Sequence, residues 1–160
     1  MQREQNLAAH SFGVAMLVQQ VFPECRKELL LAVLHHDLPE YVTGDIPAPV
    51  KRASPAISVA LEDLERGTAP LYQDFNLLPS EASVLKWADL MELVLWCLEE
   101  VMLGNAYAMK QAKTGLTWLW QGSWIAPPHV LESMHAILSG ATQTARRLGI
   151  HVDIDTGRHP

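Results

Sequence analysis

Leu90-Met91-Glu92-Leu93-Val94-Leu95-Trp96-Cys97-Leu98 is apolar around nearly its whole circumference when wound as a helix. A helix of that kind belongs in the middle of a protein rather than on its surface. The stretch sits within a longer helical pattern that runs from Ser80 to about Leu103 and stops at Gly104-Asn105. Working toward the N-terminus, Ser54-Pro55 reads as cap and first helical residue of a helix that Gly67 ends, with an irregular stretch from Thr68 to Pro79 after it. Thr43-Gly44-Asp45-Ile46-Pro47-Ala48-Pro49 is a loop. A helix from Arg26 to about Asp37 carries Leu29, Leu30, Val33 and Leu34, and Pro39 disturbs it. The first helix starts from Asn6 as N-cap and shows Leu7, Val14, Leu17, Val18 and Val21 before Phe22-Pro23 stops it. Toward the C-terminus, helices are expected over Tyr107 to Trp120 and from Pro127-Pro128 to Arg147, with Gly149 as the last stop. No segment alternates as a strand would, so the fold class is all-α.

The chain has 160 residues, 49% of them hydrophobic and 19% charged, which is globular rather than disordered composition. That length suits one domain, expected over residues 1–152, with a frayed polar tail over 153–160. A net charge of −6 disfavours a grip on polymeric nucleic acid, which rests on clustered Lys and Arg. Cys25 and Cys97 have neither metal-ligand spacing nor a disulfide framework. No long uncharged apolar run and no signal-peptide core are present, so no membrane partner and a cytoplasmic setting are expected.

The chemistry concentrates in Leu34-His35-His36-Asp37-Leu38-Pro39-Glu40. Residues three apart share a helix face, so Asp37 and Glu40 point the same way with His36 on the flank, while His35 lies a further step round. Burying such groups unpaired is costly, and a divalent cation removes the cost because imidazole nitrogen and carboxylate oxygen are its natural ligands. His-Asp pairs on helices also serve as caps or surface residues. His10, near the apolar face of the first helix, could equally be a core histidine donating to a carbonyl. Asp89, at the edge of the central helix, could equally pair with Lys86 three residues earlier.

Taken in order, His10, His36-Asp37 and Asp89 resemble the H…HD…D pattern of the HD-domain metal-dependent phosphohydrolase superfamily. Within it the chain looks most like bacterial 5′-deoxynucleotidases and related phage deoxynucleotide phosphohydrolases. Asn6 to His10 and Ser11 match N-x-x-x-H-S, and His36 to Lys51 match HD-x-x-E-x-x-TGD-x-P-x-P-x-K. Lys86-Trp87-Ala88-Asp89 matches K-x-AD, with Cys97-Leu98-Glu99-Glu100 and Gly104-Asn105 following. The similarity runs over about residues 3 to 110. In one respect the chain departs: the family has an Arg-Trp pair before the first histidine, whereas Arg3-Glu4 stands here. Arg3 as a substitute, an altered grip on substrate and an earlier start of the protein are the three readings of that difference.

The resemblance implies a compact HD-domain helical bundle and a divalent ion (Mn²⁺, Co²⁺, Zn²⁺, Fe²⁺ or Mg²⁺) on His10, His36, Asp37 and Asp89. It implies Glu40 and Asp45 as catalytic residues, where a hydrogen bond between Glu40 and a ligand histidine and simple turn formation by Asp45 are the plainer roles. Arg3 and Lys51 are the candidate phosphate contacts. The expected reaction is hydrolysis of a deoxynucleoside 5′-monophosphate to nucleoside and phosphate. Release of triphosphate from a dNTP and a nucleotide-sensing module with little turnover are the alternatives. Related enzymes associate as dimers, and a homodimer is expected here, with Trp118, Trp120 or Trp124 at or near the contact unless all three close the core beneath the last helix.

Overall fold

The protein is described here from a computed structural model covering residues 6–44, 54–68 and 73–152. The expectations on Arg3, Asp45, Lys51, most of the Thr43–Pro49 loop and the 153–160 tail lie outside the described residues. Helices α1 (Leu7–Val21), α2 (Lys27–His35), α4 (Pro55–Arg66), α5 (Pro79–Met102), α6 (Ala108–Gln121) and α7 (Pro128–Arg147) carry the fold, with a single turn, α3 (Glu40–Thr43), after α2. No strand occurs among the described residues. None of their helices is long and apolar enough to cross a membrane.

Local chemistry accounts for the boundaries. Asn6 caps α1, its side-chain oxygen accepting the Ala9 N–H at 2.9 Å. Pro residues occupy the first turn of α4, α5 and α7, where a missing N–H costs nothing. At the start of α5, Glu81 is buried, and its carboxylate accepts the Leu78 N–H at 2.8 Å and the Arg26 Nε–H at 2.7 Å. That one carboxylate satisfies a free helix-start donor and ties α2's entry to α5. At the other end of α5, Gly104 adopts φ +96°, a left-handed conformation that lets the chain reverse into α6.

Helix α5 is the spine. Val84, Trp87, Ala88, Met91, Val94, Cys97 and Leu98 are all buried on it. Around it pack Val14, Val18 and Val21 of α1, Leu29 and Val33 of α2, Leu116 and Leu119 of α6, and Met134 and Leu138 of α7. Gly115 lets α6 come close, since a Cβ there would stand 2.5 Å from Val94 Cγ2. The centrality expected for residues 90–98 holds with one modification: Leu93 and Leu95 remain 38% exposed. A helix ringed by discrete neighbours leaves gaps between them, and Leu95 lines one such groove with Met16, Leu17, Trp96 and Met102.

The tryptophans divide. Trp120 donates its Nε1–H to Thr142 Oγ1 at 3.0 Å and meets the His135 ring edge-on, while Trp124 donates to the Leu119 carbonyl at 2.9 Å. Both therefore seal α6 against α7 and the turn between them, as an indole does when its N–H has a partner. Trp118 stays 38% exposed.

Candidate metal centre

Three segments converge between α1, the end of α2 and the middle of α5. The Asn6 cap sets the start of α1 and so puts His10 in that helix's first turn. Helix α2 ends at His35, and residues 36–39 continue as turns with i to i+3 bonds, Leu38 N–H to the His35 carbonyl (3.1 Å) and Glu40 N–H to the Asp37 carbonyl (3.0 Å). Pro39 lacks an N–H and cannot prolong the α-helical ladder. The α-helix therefore stops short of Asp37, and His36 and Asp37 lie where α2 runs out.

His10 Nε2 lies 3.0 Å from Asp89 Oδ1 and 3.3 Å from Asp37 Oδ2. His36 Nε2 lies 3.2 Å from Asp37 Oδ2 and 3.8 Å from Asp89 Oδ1, and the two rings are 5.4 Å apart. Donor atoms of His10, His36 and Asp37 fall within 4.8 Å of one another. Asp89 joins from α5 with its side chain 46% exposed, so it forms the solvent edge of the cluster. Asp89 thus turns to the histidines, and no ion pair joins it to Lys86 among the described residues.

Each ring nitrogen that faces away from this centre is engaged. His36 donates Nδ1–H to the Val33 carbonyl at 2.7 Å, and His10 donates Nδ1–H to Glu92 Oε2 at 2.5 Å. This assigns both Nε2 atoms to the centre, where His36 Nε2 is buried without a hydrogen-bond partner. An orphaned imidazole nitrogen beside carboxylates fits a cation, as does the donor set as a whole.

The electrostatics agree. Burial opposes charge on His10, but its hydrogen bonds to Asp37, Asp89 and Glu92 prevail and raise its pKa from 6.5 to about 11. Burial likewise opposes charge on His36, and the Asp89 and Asp37 carboxylates still raise its pKa. Burial works to raise the Asp89 pKa, yet His10 and His36 hold it far below the usual carboxylate range. The surroundings favour positive charge at the two Nε2 positions, and a divalent ion answers that demand as a proton does.

Glu40 opens α3, half-buried, one tight turn after Asp37. His35 turns away from the cluster, as its helix position implies, and packs edge-on against Phe75 at 5.3 Å. It lines a cavity of about 380 Å³ together with His36, Pro39, Asp74 and Phe75. Glu92 is the one site residue that the sequence reading passes over. Its only signal is its place three residues after Asp89, on the same helix face, within an otherwise apolar run.

A histidine on one helix, a His-Asp pair closing a second and an aspartate on a third, in an all-helical fold, define the HD-domain class. A family model described as 5′-deoxynucleotidase YfbR-like matches residues 1–121, and the chain belongs to that YfbR-like family. Among its relatives, a 5′-deoxynucleotidase of Cronobacter sakazakii is 30% identical over 131 residues, covering 64% of each protein. The 5′-deoxynucleotidase yfbR of Photorhabdus temperata is 29% identical over 129 residues, covering 65% of this chain and 66% of that one. The 5′-deoxynucleotidase YfbR of Escherichia coli is 28% identical over 128 residues, covering 64% of each. The chain thus spans just under two thirds of the length of these curated relatives. No solved structure matches it.

Proposed function

We propose that the chain is a metal-dependent phosphohydrolase that converts a deoxynucleoside 5′-monophosphate to deoxynucleoside and phosphate. The observation that carries this reading is the gathering of His10, His36 and Asp37 donor atoms within 4.8 Å, in a chain of the YfbR-like family. The deoxynucleotide class comes from the names of the relatives, which are 5′-deoxynucleotidases.

His10, His36, Asp37 and Asp89 would hold the ion, and Mn²⁺, Co²⁺, Zn²⁺, Fe²⁺ and Mg²⁺ all accept such ligands. Bound there, a divalent ion supplies positive charge for the phosphoryl oxygens and lowers the pKa of a water. Glu40 takes the proton of the attacking water as general base. Its position favours this, because i to i+3 turns place residues three apart on one face, and Glu40 follows Asp37 by three. As the water oxygen bonds to phosphorus, the bond from phosphorus to the sugar 5′-oxygen breaks, and that oxygen must gain a proton. Asp45 is assigned to the leaving oxygen or the sugar, and Arg3 and Lys51 to the phosphate; all three lie outside the described residues.

The test is phosphate release from a panel of dNMPs and dNTPs, with and without added Mn²⁺ or Co²⁺. Metal-stimulated orthophosphate release from dNMPs is the expected result. Triphosphate release from dNTPs would move the assignment to a triphosphohydrolase. Nucleotide binding with no turnover under any metal would make the chain a sensing module instead.

A further inference from the structure

Resting on the metal-site reading above, we propose that Glu92 is a positioning residue for that site: its carboxylate, admitted by the absent side chain of Gly13, holds the His10 ring so that Nε2 faces the ion. The two ligand histidines meet the same requirement by different means. An imidazole that binds through Nε2 must keep its proton on Nδ1, and the partner of that N–H sets both the tautomer and the ring's angle. His36 stands just past the end of α2, where last-turn carbonyls have no helical partner, and it uses one of them, Val33 O at 2.7 Å. His10 lies within α1, where the helix ladder occupies nearby carbonyls, so its Nδ1–H must find an acceptor on another helix. Glu92 Oε2 provides it at 2.5 Å, across 82 residues of sequence.

Helix α5 thus contacts both nitrogens of one ring. Asp89 and Glu92 lie three residues apart on its surface, the first 3.0 Å from Nε2 and the second on Nδ1. The ring is held at both ends by a single rigid element, and the Glu92 carboxylate also makes the opposite nitrogen a stronger electron-pair donor.

Gly13 supplies independent support. It lies three residues after His10 on α1, and a Cβ built there would stand 2.8 Å from Glu92 Cγ, 3.1 Å from Oε1 and 3.3 Å from Cδ. Any side chain at position 13 and the present course of Glu92 exclude one another. The glycine therefore belongs to the same device as the carboxylate, and removing either half should release the ring.

The experiment measures Co²⁺ affinity of the full chain, stripped of metal, from the visible absorption of bound Co²⁺ in competition with a chelator. Glu92→Ala should weaken Co²⁺ binding by about 10- to 100-fold, the usual loss when a ligand histidine loses its supporting partner. Glu92→Gln, whose amide oxygen can still accept the Nδ1–H, should recover most of that loss. Gly13→Ala should weaken binding in the same direction with Glu92 intact. Imidazole ¹H–¹⁵N spectra of the metal-free chain add a readout without metal: the His10 Nδ1–H resonance should persist in Glu92→Gln and vanish in Glu92→Ala. If Glu92→Ala is folded by circular dichroism and binds Co²⁺ as tightly as the unmodified chain, the inference is overturned. Should Glu92→Ala fail to fold, Gly13→Ala decides alone, and undiminished affinity there overturns it equally. If the unmodified chain takes up no Co²⁺, Mn²⁺ or Zn²⁺, the metal reading itself falls, and this inference with it.

Discussion

Asp37 and Glu40 are neighbours on one tight turn, yet one is assigned to hold an ion and the other to move a proton. The difference is measurable. Asp37 Oδ2 sits 3.2–3.3 Å from the Nε2 atoms of both His10 and His36, so Asp37→Ala should abolish Co²⁺ uptake and phosphate release together. Glu40→Ala should keep Co²⁺ and nucleotide binding while lowering kcat by about 10²-fold or more, the usual range for a lost general base. Equal loss of Co²⁺ in both variants would make Glu40 a ligand. The identities of His10, His36, Asp37 and Asp89 as one group were legible in the sequence because their order and spacing match a known pattern. Glu92 was not, because a lone Glu in an apolar run looks the same whether it faces water or a histidine 82 positions away.

At the scale of elements, the junction of α2 and α5 rests on Glu81. The Arg26 guanidinium holds its carboxyl below the ordinary 4.5, with the Leu78 N–H assisting, while burial works in the opposite direction. The folded pKa lies below the unfolded one, so the contribution to stability is complete above about pH 4.5 and is lost as pH falls through the lowered value. Urea midpoints measured at steps of pH should fall more steeply in acid for the unmodified chain than for Glu81→Gln. At neutral pH that variant should be less stable by about 1–3 kcal/mol, the range for a lost charge-assisted bond. Two glycines test helix approach with opposite signs. Gly115→Ala must push α6 off Val94 and should cost about 1–3 kcal/mol, whereas Gly140→Ala, at an exposed position of α7, meets nothing within 4 Å and should stabilise by about 0.5–1 kcal/mol. Thermal or urea melts of the two variants should move in opposite directions, and a shared direction would refute the close packing of α5 on α6.

For the whole molecule, assembly turns on which apolar groups the fold leaves outside. Trp120 and Trp124 are spent on closing α6 against its neighbours, whereas Trp118 is 38% exposed, with Met102, Leu103 and Tyr107 exposed around the α5–α6 turn. A homodimer is expected, and light scattering at micromolar concentration should give about twice the 17.8 kDa chain mass. Trp118→Ser should raise the dissociation constant with little change in helix content. A mass of one chain refutes the dimer, and an unchanged dissociation constant removes Trp118 from the contact.

What the amino-acid sequence determined by itself was expressed over a few residues. The Asn6 cap, the Pro-initiated helices, the stops at Gly67, Gly104 and Gly149, and the apolar spine of α5 all depend on neighbours within about a turn or two, so their signals survive in one dimension. Tertiary structure alone decided the rest: that Asp89 faces His10 rather than Lys86, that Trp120 points inward, that Leu95 is left at a groove, and that Glu92 reaches His10 past Gly13. Each of these depends on how far one helix is turned about its axis against another. That rotation is set by the joint packing of side chains drawn from the whole chain, so no local stretch of sequence carries it.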